Sequence, residues 1–223
     1  MGRGIGMRSD RRVLTSFALV ATVPLLGCAP RLEPPEPQRF PQIEVVADWS
    51  RQRAAPYGIP ERQLMAYAYA ALQVESQSGC TVGWPTIAAI GQVASDHGRV
   101  EGSEVGEDGL TTEKLRGLEV MQLPPIVVSD TDSGATDGDD TQDVAVGPMQ
   151  IMPSRWEQFA ASPEPGRTPD PDNIDDAALT AAHILCAAGD PSNPEGWDEG
   201  VKRFFYSPEA VMEVHRVASE LSR

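Results

Sequence analysis

The stretch WPTIAAIGQVASDHG, residues 84–98, decides the fold because it predicts an apolar helix that ends at Gly98. Its apolar side chains, among them Ile87 and Val93, recur at the spacing of one helical face. Near its end stands Ala94, whose side chain has neither a proton to give nor a charge. This segment predicts the central helix of a helical core.

Five further helices are predicted from start signals, stop signals and periodic apolar residues. They span residues 60–79, a segment starting at residues 153–154, and residues 177–188, 195–205 and 208–221. Strand-type alternation is scarce and is limited to fragments such as residues 126–128. The sequence therefore predicts one all-α domain over residues 43–223.

Residues 99–143 interrupt the helical pattern with a long acidic insertion, which holds twelve Asp or Glu residues against three basic ones. Loops of this length are either functional or disordered. Carboxylates of the kind that bind calcium cluster near its end, at residues 130–143. Their spacing lacks both the final glutamate and the central glycine of an EF-hand loop. We therefore predict no metal site and interpret the insertion as a solvated loop.

Two further motifs accompany the apolar helix: VGPMQIMPSRW at residues 146–156 and DPDNIDDAA at residues 170–178. Together the three segments resemble the lytic murein transglycosylases, lysozyme-like enzymes that cut the glycan strands of peptidoglycan. The resemblance covers about residues 59–218. It implies a lysozyme-like helical domain, with the acidic insertion shaping one wall of a groove.

The resemblance also implies a catalytic glutamate at the position of Ala94, in a Glu-Ser-x-x-Gly motif of which Ser95 and Gly98 remain. In that chemistry one acid protonates the glycosidic oxygen and then helps the sugar's own 6-hydroxyl to attack. One carboxyl group therefore suffices, unlike the pair that most glycosidases use. General acid–base groups contribute typically ~10²–10⁴-fold to a rate. We expect no catalytic residue at Ala94, and hence lost or impaired catalysis.

A second departure lies near the C-terminus, where the relatives carry Tyr-Asn-x-Ser. In the family the Tyr and Asn hold the sugar and orient the acid. Here the segment reads FFYS, residues 204–207, so that Phe205 stands at the Asn position and Phe204 lacks the Tyr hydroxyl. Two changes at the polar centre of the groove favour a domain that no longer performs the chemistry.

Other motif positions are kept, and the resemblance implies that they contact glycan. Gly147, Met149 and Gln150 match the family's Gly-x-Met-Gln, in which the Gln reaches the glycan and the Met lines the cleft. The predicted glycan-binding residues are Ser95, Met149, Gln150, Phe204, Phe205 and Tyr206. The alternative interpretation is that these residues hold the fold and bind nothing.

Three functional hypotheses follow from these motifs. In the first, the domain binds peptidoglycan strands or a partner protein of the cell envelope without cutting glycan, and needs no cofactor. In the second, it is an active transglycosylase that uses a displaced acid such as Glu101 or Glu104. In the third, it is an interaction lipoprotein without glycan affinity, its groove filled by Phe204 and Phe205.

The first 27 residues have the composition of an export signal, with a basic start and an apolar run at residues 13–26 that is too short to span a bilayer as a mature helix. The run ends in LLGC, which resembles a bacterial lipobox with Cys28 as the acylated residue. We therefore expect an envelope lipoprotein anchored through Cys28, followed by a Pro-rich tether over residues 28–42. An ordinary cleaved signal, or a short membrane anchor with a buried cysteine, is the alternative.

The mature chain is expected to be strongly acidic. Removal of residues 1–27, which carry four arginines and one aspartate, changes the net charge from −15 to −18. Such a chain repels phosphates, which excludes nucleic acid as a partner. With Cys28 lipidated, Cys80 and Cys186 remain in an oxidising compartment, where a pair predicts a disulfide. Two buried free thiols are the alternative.

Overall fold

The computed structural model describes residues 42–121 and 123–223, which lie in one compact unit. Seven helices and a small two-stranded sheet make up its regular structure. The helices are α1 (Gln42–Tyr57), α2 (Glu61–Ser78), α3 (Trp84–Ser95), α4 (Pro153–Phe159), α5 (Ile174–Ala188), α6 (Pro194–Val201) and α7 (Pro208–Leu221). The prediction of an all-α domain is confirmed at this level.

Helix α3 lies at the centre of the core, where it packs against α2 and α7. Ile87, Ile90 and the alanines between them are fully buried, as expected for a helix that is apolar on most of its surface. The helix ends earlier than Gly98, because Asp96 and His97 both adopt left-handed conformations, with φ values of 48° and 62°. The backbone N–H of Asp96 donates to the Gln92 carbonyl and so closes the last turn.

Helix α5 packs against α2 and α6 and is almost entirely buried along its length. Its N-cap is Asn173, whose side-chain oxygen accepts hydrogen bonds from the backbone N–H groups of Asp175 and Asp176. The helix therefore starts three residues before the predicted position, and the two aspartates stand in its first turn. Negative side chains at that position interact favourably with the helix dipole.

Helix α1 is absent from the sequence-based prediction, which assigned its first residue to the tether. Its apolar residues show little periodicity, and Pro56 lies in its last turn. An aromatic contact holds it in place: the Trp84 ring lies 5.3 Å from that of Trp49 and 5.1 Å from that of Tyr57. Helix α1 therefore packs mainly against α2, and its two aromatic residues also contact the start of α3.

Helix α6 ends at Val201, four residues before the predicted end. A turn over residues 202–206 follows, and Ser207 then caps α7 by accepting a hydrogen bond from the backbone N–H of Ala210 at 3.0 Å. Phe204, Phe205 and Tyr206 consequently lie in the turn between the two helices. This placement directs the Phe204 and Phe205 rings into the protein and leaves Tyr206 exposed.

The acidic insertion is a folded segment. Strands β1 (Val127–Ser129) and β2 (Gln142–Val144) pair in antiparallel register, with Val127 opposite Val144 and Ser129 opposite Gln142. A half-buried ion pair fastens the insertion to the helical core, because the Arg116 guanidinium donates two hydrogen bonds, at 2.6 and 2.8 Å, to the Asp172 carboxylate.

Cys80 and Cys186 form a disulfide with their Cα atoms 6.0 Å apart, which confirms the predicted pairing. The bond joins the segment after α2 to the last turn of α5.

Within the described residues, none of the helices has the length and apolar character needed to cross a membrane. The predicted export signal, the lipidation site Cys28 and almost all of the predicted tether lie outside these residues.

Candidate functional site

The end of α3 is fixed to the loop that carries the second motif. The Ser95 hydroxyl donates a hydrogen bond to the Pro148 carbonyl at 2.6 Å and accepts one from the backbone N–H of Gly98 at 2.7 Å. Both bonds are buried. Ser95 therefore holds the helix end against the loop, and its side chain is buried.

Ala94 is part of the hydrophobic core and is only 3% exposed. Glu101 and Glu104, the displaced acids of the second hypothesis, and the neighbouring Asp96 all stand elsewhere. Asp96 is exposed and forms an ion pair with Arg99 at 2.8 Å, while Glu101 and Glu104 are exposed loop residues. None of the three lines the cavity described below.

A buried polar pair underlies the left-handed end of α3. The Tyr67 hydroxyl lies 3.1 Å from Nδ1 of His97, and the Gln63 amide donates to the His97 carbonyl at 3.1 Å. Burial raises the pKa of Tyr67 and lowers that of His97 from its ordinary value of 6.5 to about 4. Both side chains are therefore neutral at pH 7. Gly91 makes room for the pair, since a Cβ there would lie within 3 Å of the Tyr67 hydroxyl.

The depressed pKa of His97 predicts a loss of stability on acidification. Below pH 6.5 the unfolded chain takes up a proton at this histidine, whereas the folded chain does so only near pH 4. The fold should lose on the order of 3 kcal/mol between these pH values through this group alone.

Urea denaturation from pH 7 to pH 4, applied to the wild type and to His97→Gln, measures this effect. The variant should lose less stability over the interval, and His215→Gln, at an exposed position, serves as the control. Equal pH slopes for the wild type and His97→Gln would contradict the assignment.

The first part of the motif VGPMQIMPSRW, residues 146–152, forms a tight loop between the insertion and α4. Gln150 adopts a left-handed conformation with φ of 46° and is 4% exposed. Its side-chain oxygen accepts from the backbone N–H of Leu118 at 2.9 Å, and its NH₂ group donates to the Gly147 carbonyl at 2.8 Å. The amide thus joins the insertion to the loop. Met149 is completely buried and belongs to the core.

A cavity of about 300 Å³ opens beside this loop. One wall comes from the insertion and the other from the turn between α6 and α7. Its lining comprises Gly117, Leu118, Val120, Leu123, Pro124, Pro125, Ile126, Ala145, Gln150, Met152, Phe204, Phe205, Tyr206, Ser207 and Ala210. None of the residues described in this lining is acidic or basic, so the cavity is apolar and aromatic in character.

The cavity brings together four of the predicted glycan-binding residues: Gln150, Phe204, Phe205 and Tyr206. Ser95 and Met149 are buried elsewhere and do not line it. Tyr206 is 65% exposed at the rim, while the two phenylalanine rings, with centroids 6.4 Å apart, form the floor.

The resemblance implied that the insertion forms one wall of a groove, and the insertion lines the cavity; the apolar character of this wall was missed by sequence reasoning. Its apolar residues, including Leu118 and Ile126, stand in a segment that charge alone marks as solvated. The available signal was the run PPIVV, residues 124–128, which is too apolar for a solvated loop.

Three carboxylates of the insertion converge closely enough to hold a cation. Oxygen atoms of Asp130, Asp132 and Asp143 lie within 4.8 Å of one another. Each carboxylate already accepts hydrogen bonds from the insertion itself; Asp143, for example, accepts from the backbone N–H of Thr131 at 3.0 Å and from its hydroxyl at 2.5 Å. The three carboxylates therefore lie close together because each of them stabilises the fold of the loop through these hydrogen bonds.

Comparisons with models of known protein families, with curated proteins and with solved structures found no match. The resemblance to lytic transglycosylases therefore depends on the sequence motifs. The structure itself shows a helical core and a cavity lined by parts of residues 146–156 and 204–207.

Proposed function

We propose that this chain is a lysozyme-like envelope lipoprotein, related to the lytic murein transglycosylases, that binds peptidoglycan glycan strands without cutting them. The binding site is the cavity between the insertion and the α6–α7 turn, with Tyr206 as the accessible ring. Aromatic rings suit the apolar faces of sugar rings, and cavities of this size are typical of small-ligand sites. No cofactor is needed for binding of this kind.

The observation that carries the proposal is an aromatic cavity without a carboxyl group. Cleavage of a glycosidic bond needs a proton donor within hydrogen-bond reach of the bridging oxygen. Ala94 supplies none, and none of the described residues lining the cavity is Asp or Glu. Glu101 and Glu104, the displaced acids of the alternative hypothesis, are exposed away from this lining.

Co-sedimentation with insoluble peptidoglycan sacculi tests the binding. We expect the wild type to pellet with sacculi and Tyr206→Ala to bind about three- to tenfold more weakly, since one aromatic contact is lost. Tyr206→Phe is the matched control: it keeps the ring and should bind like the wild type. Failure of the wild type to pellet would contradict the proposal.

A second candidate is an interaction lipoprotein with no affinity for glycan. It is favoured by one specific observation: both ends of the Gln150 amide are already hydrogen-bonded to the backbone, which leaves the cavity almost without polar side chains. The sedimentation assay separates the two candidates, because this one predicts that the wild type stays in solution.

A further inference from the structure

The small sheet of the insertion has an open edge. Among the described residues, β1 pairs with β2 alone, so no strand lies along its other side. The backbone N–H of Val144 donates to the Asp137 carboxylate at 2.8 Å, although Val144 stands opposite Val127 in the ladder. This N–H therefore points away from β1, and the Val127–Val144 pair is not hydrogen-bonded through its backbone.

The alternation of an antiparallel ladder then fixes which groups of β1 face outward. Bonded and non-bonded pairs alternate, so the bonded pair is Val128 with Asp143. The N–H and C=O groups of Val127 and Ser129 consequently face the open edge. Within the described part of the chain, no backbone group outside the sheet bonds to them. Four unpaired backbone groups in a row are a template for a further strand.

The side chains at this edge are apolar and exposed. Val127 is 47% and Val128 41% exposed, and their side chains point to opposite faces of the sheet. Many proteins protect a free edge with a lysine, a proline or a bulge. Residues 127–129 contain neither lysine nor proline. The edge of β1 thus offers both unpaired backbone and apolar contact surface.

The charge around this edge indicates what kind of strand fits it. Residues 117–144 hold seven Asp or Glu residues and no Lys or Arg. Among the described residues, no ion pair neutralises the carboxylates of the loop at residues 130–140, which directly follows β1. A second copy of this acidic chain would be repelled, whereas a basic segment is complementary in charge.

We propose that the open edge of β1 binds an extended basic segment of a partner protein, which adds a third strand to the sheet. The outward N–H and C=O groups of Val127 and Ser129 pair with its backbone, as in other cases of strand addition. Its apolar side chains pack beside Val127 and Val128, and its Lys or Arg side chains lie near the loop at residues 130–140. Residues 127–129 do not line the cavity of the proposed function, so the two sites are distinct.

Calorimetric titration of the full chain with a synthetic peptide of alternating lysine and valine, nine residues long, tests the proposal. We expect measurable binding. A control peptide with the same side chains but with alternate backbone nitrogens methylated should bind at least about tenfold more weakly, because its N–H groups cannot pair with the edge. Equal affinities for the two peptides would show that charge alone attracts them and would overturn strand addition, as would a failure of the unmodified peptide to bind.

A matched pair of protein variants locates the site. Val127→Lys places a like charge at the edge and should lower peptide affinity about tenfold. Val45→Lys, at a 69% exposed position of α1, makes the same change in net charge and should leave affinity within about twofold of the wild type. Equal affinities for the two variants would overturn the assignment to β1. Both variants should sediment with peptidoglycan sacculi as the wild type does, so the outcome is independent of the proposed function.

Amide hydrogen exchange followed by NMR gives a readout that binding elsewhere would not move. Saturating peptide should slow exchange at Val127 and Ser129 at least about tenfold and change Val128 little, because Val128 is already paired with β2. Unchanged exchange at Val127 and Ser129 would overturn the proposal. Slow exchange at both amides without peptide, together with self-association in sedimentation velocity, would show that a second copy occupies the edge and would overturn the basic partner.

Discussion

Replacement of Gly147 by alanine is expected to destabilise the fold by roughly 3–5 kcal/mol, through steric overlap added to backbone strain. Gly147 has a φ of +69°, and a Cβ at this position would lie 1.8 Å from the Pro171 carbonyl oxygen. The obstacle is backbone of the segment that leads into α5, which cannot turn aside as a flexible side chain can. The loop that carries Gln150 would therefore have to separate from that segment.

Urea denaturation of Gly147→Ala and Gly166→Ala measures this effect. Gly166 has a φ of +81° with nothing within 4 Å of its Cβ position, so its substitution isolates the cost of the left-handed backbone. That cost is about 1 kcal/mol. Equal destabilisation by the two substitutions would show that the Gly147–Pro171 approach is less close than described.

Loss of the Cys80–Cys186 disulfide is expected to lower the free energy of unfolding by about 4–5 kcal/mol, the value that chain entropy gives for a loop of this length. The bond closes a segment with a sequence separation of 106 residues, which includes α3, the insertion, α4 and most of α5. Its removal frees the unfolded chain while leaving the helix packing itself in place.

Chemical denaturation of the double variant Cys80→Ala/Cys186→Ala, with and without a thiol reductant, tests this expectation. The variant should unfold at a lower urea concentration than the oxidised wild type and should be insensitive to the reductant. The reduced wild type should resemble the variant. A midpoint shared by the variant and the oxidised wild type would contradict the expected contribution.

Sequence signals correctly predicted those helices whose start is set by neighbouring residues. Helices α2, α3 and α7 each begin at or directly after a proline or a tryptophan–proline pair, and each has a periodic apolar face. The disulfide followed from the number of cysteines and the expected compartment. The helix starts depend on a few neighbouring residues, and the disulfide depends on composition and compartment, so neither requires knowledge of the tertiary structure.

Elements set by tertiary contacts escaped prediction. Helix α1 is held by packing against α2 and by the contacts of Trp49 and Tyr57 with Trp84, which only the folded chain brings together. The early end of α3 depends on His97, whose left-handed backbone is supported by buried contacts with Tyr67 and Gln63. Helix propensity favoured continuation of α3 to Gly98, but these tertiary contacts end the helix earlier.

The candidate site was likewise predicted only in part. The motifs named the loop residue Gln150 and the aromatic turn at residues 204–206, and the structure places both on one cavity. They did not reveal which apolar residues of the insertion form the opposite wall, because the insertion is fastened to the core by the Arg116–Asp172 ion pair, formed by residues 56 positions apart. For Ser95 and Met149 the alternative interpretation describes the structure, since both make buried contacts and neither lines the cavity.

The proposed binding of glycan without cleavage is tested most directly by analysis of the products that the protein releases from peptidoglycan. Purified protein is incubated with peptidoglycan sacculi, and the soluble fraction is examined by mass spectrometry for 1,6-anhydro-muropeptides. We predict none above a protein-free blank. Their release at a rate comparable to that of an active transglycosylase assayed alongside would contradict the claim.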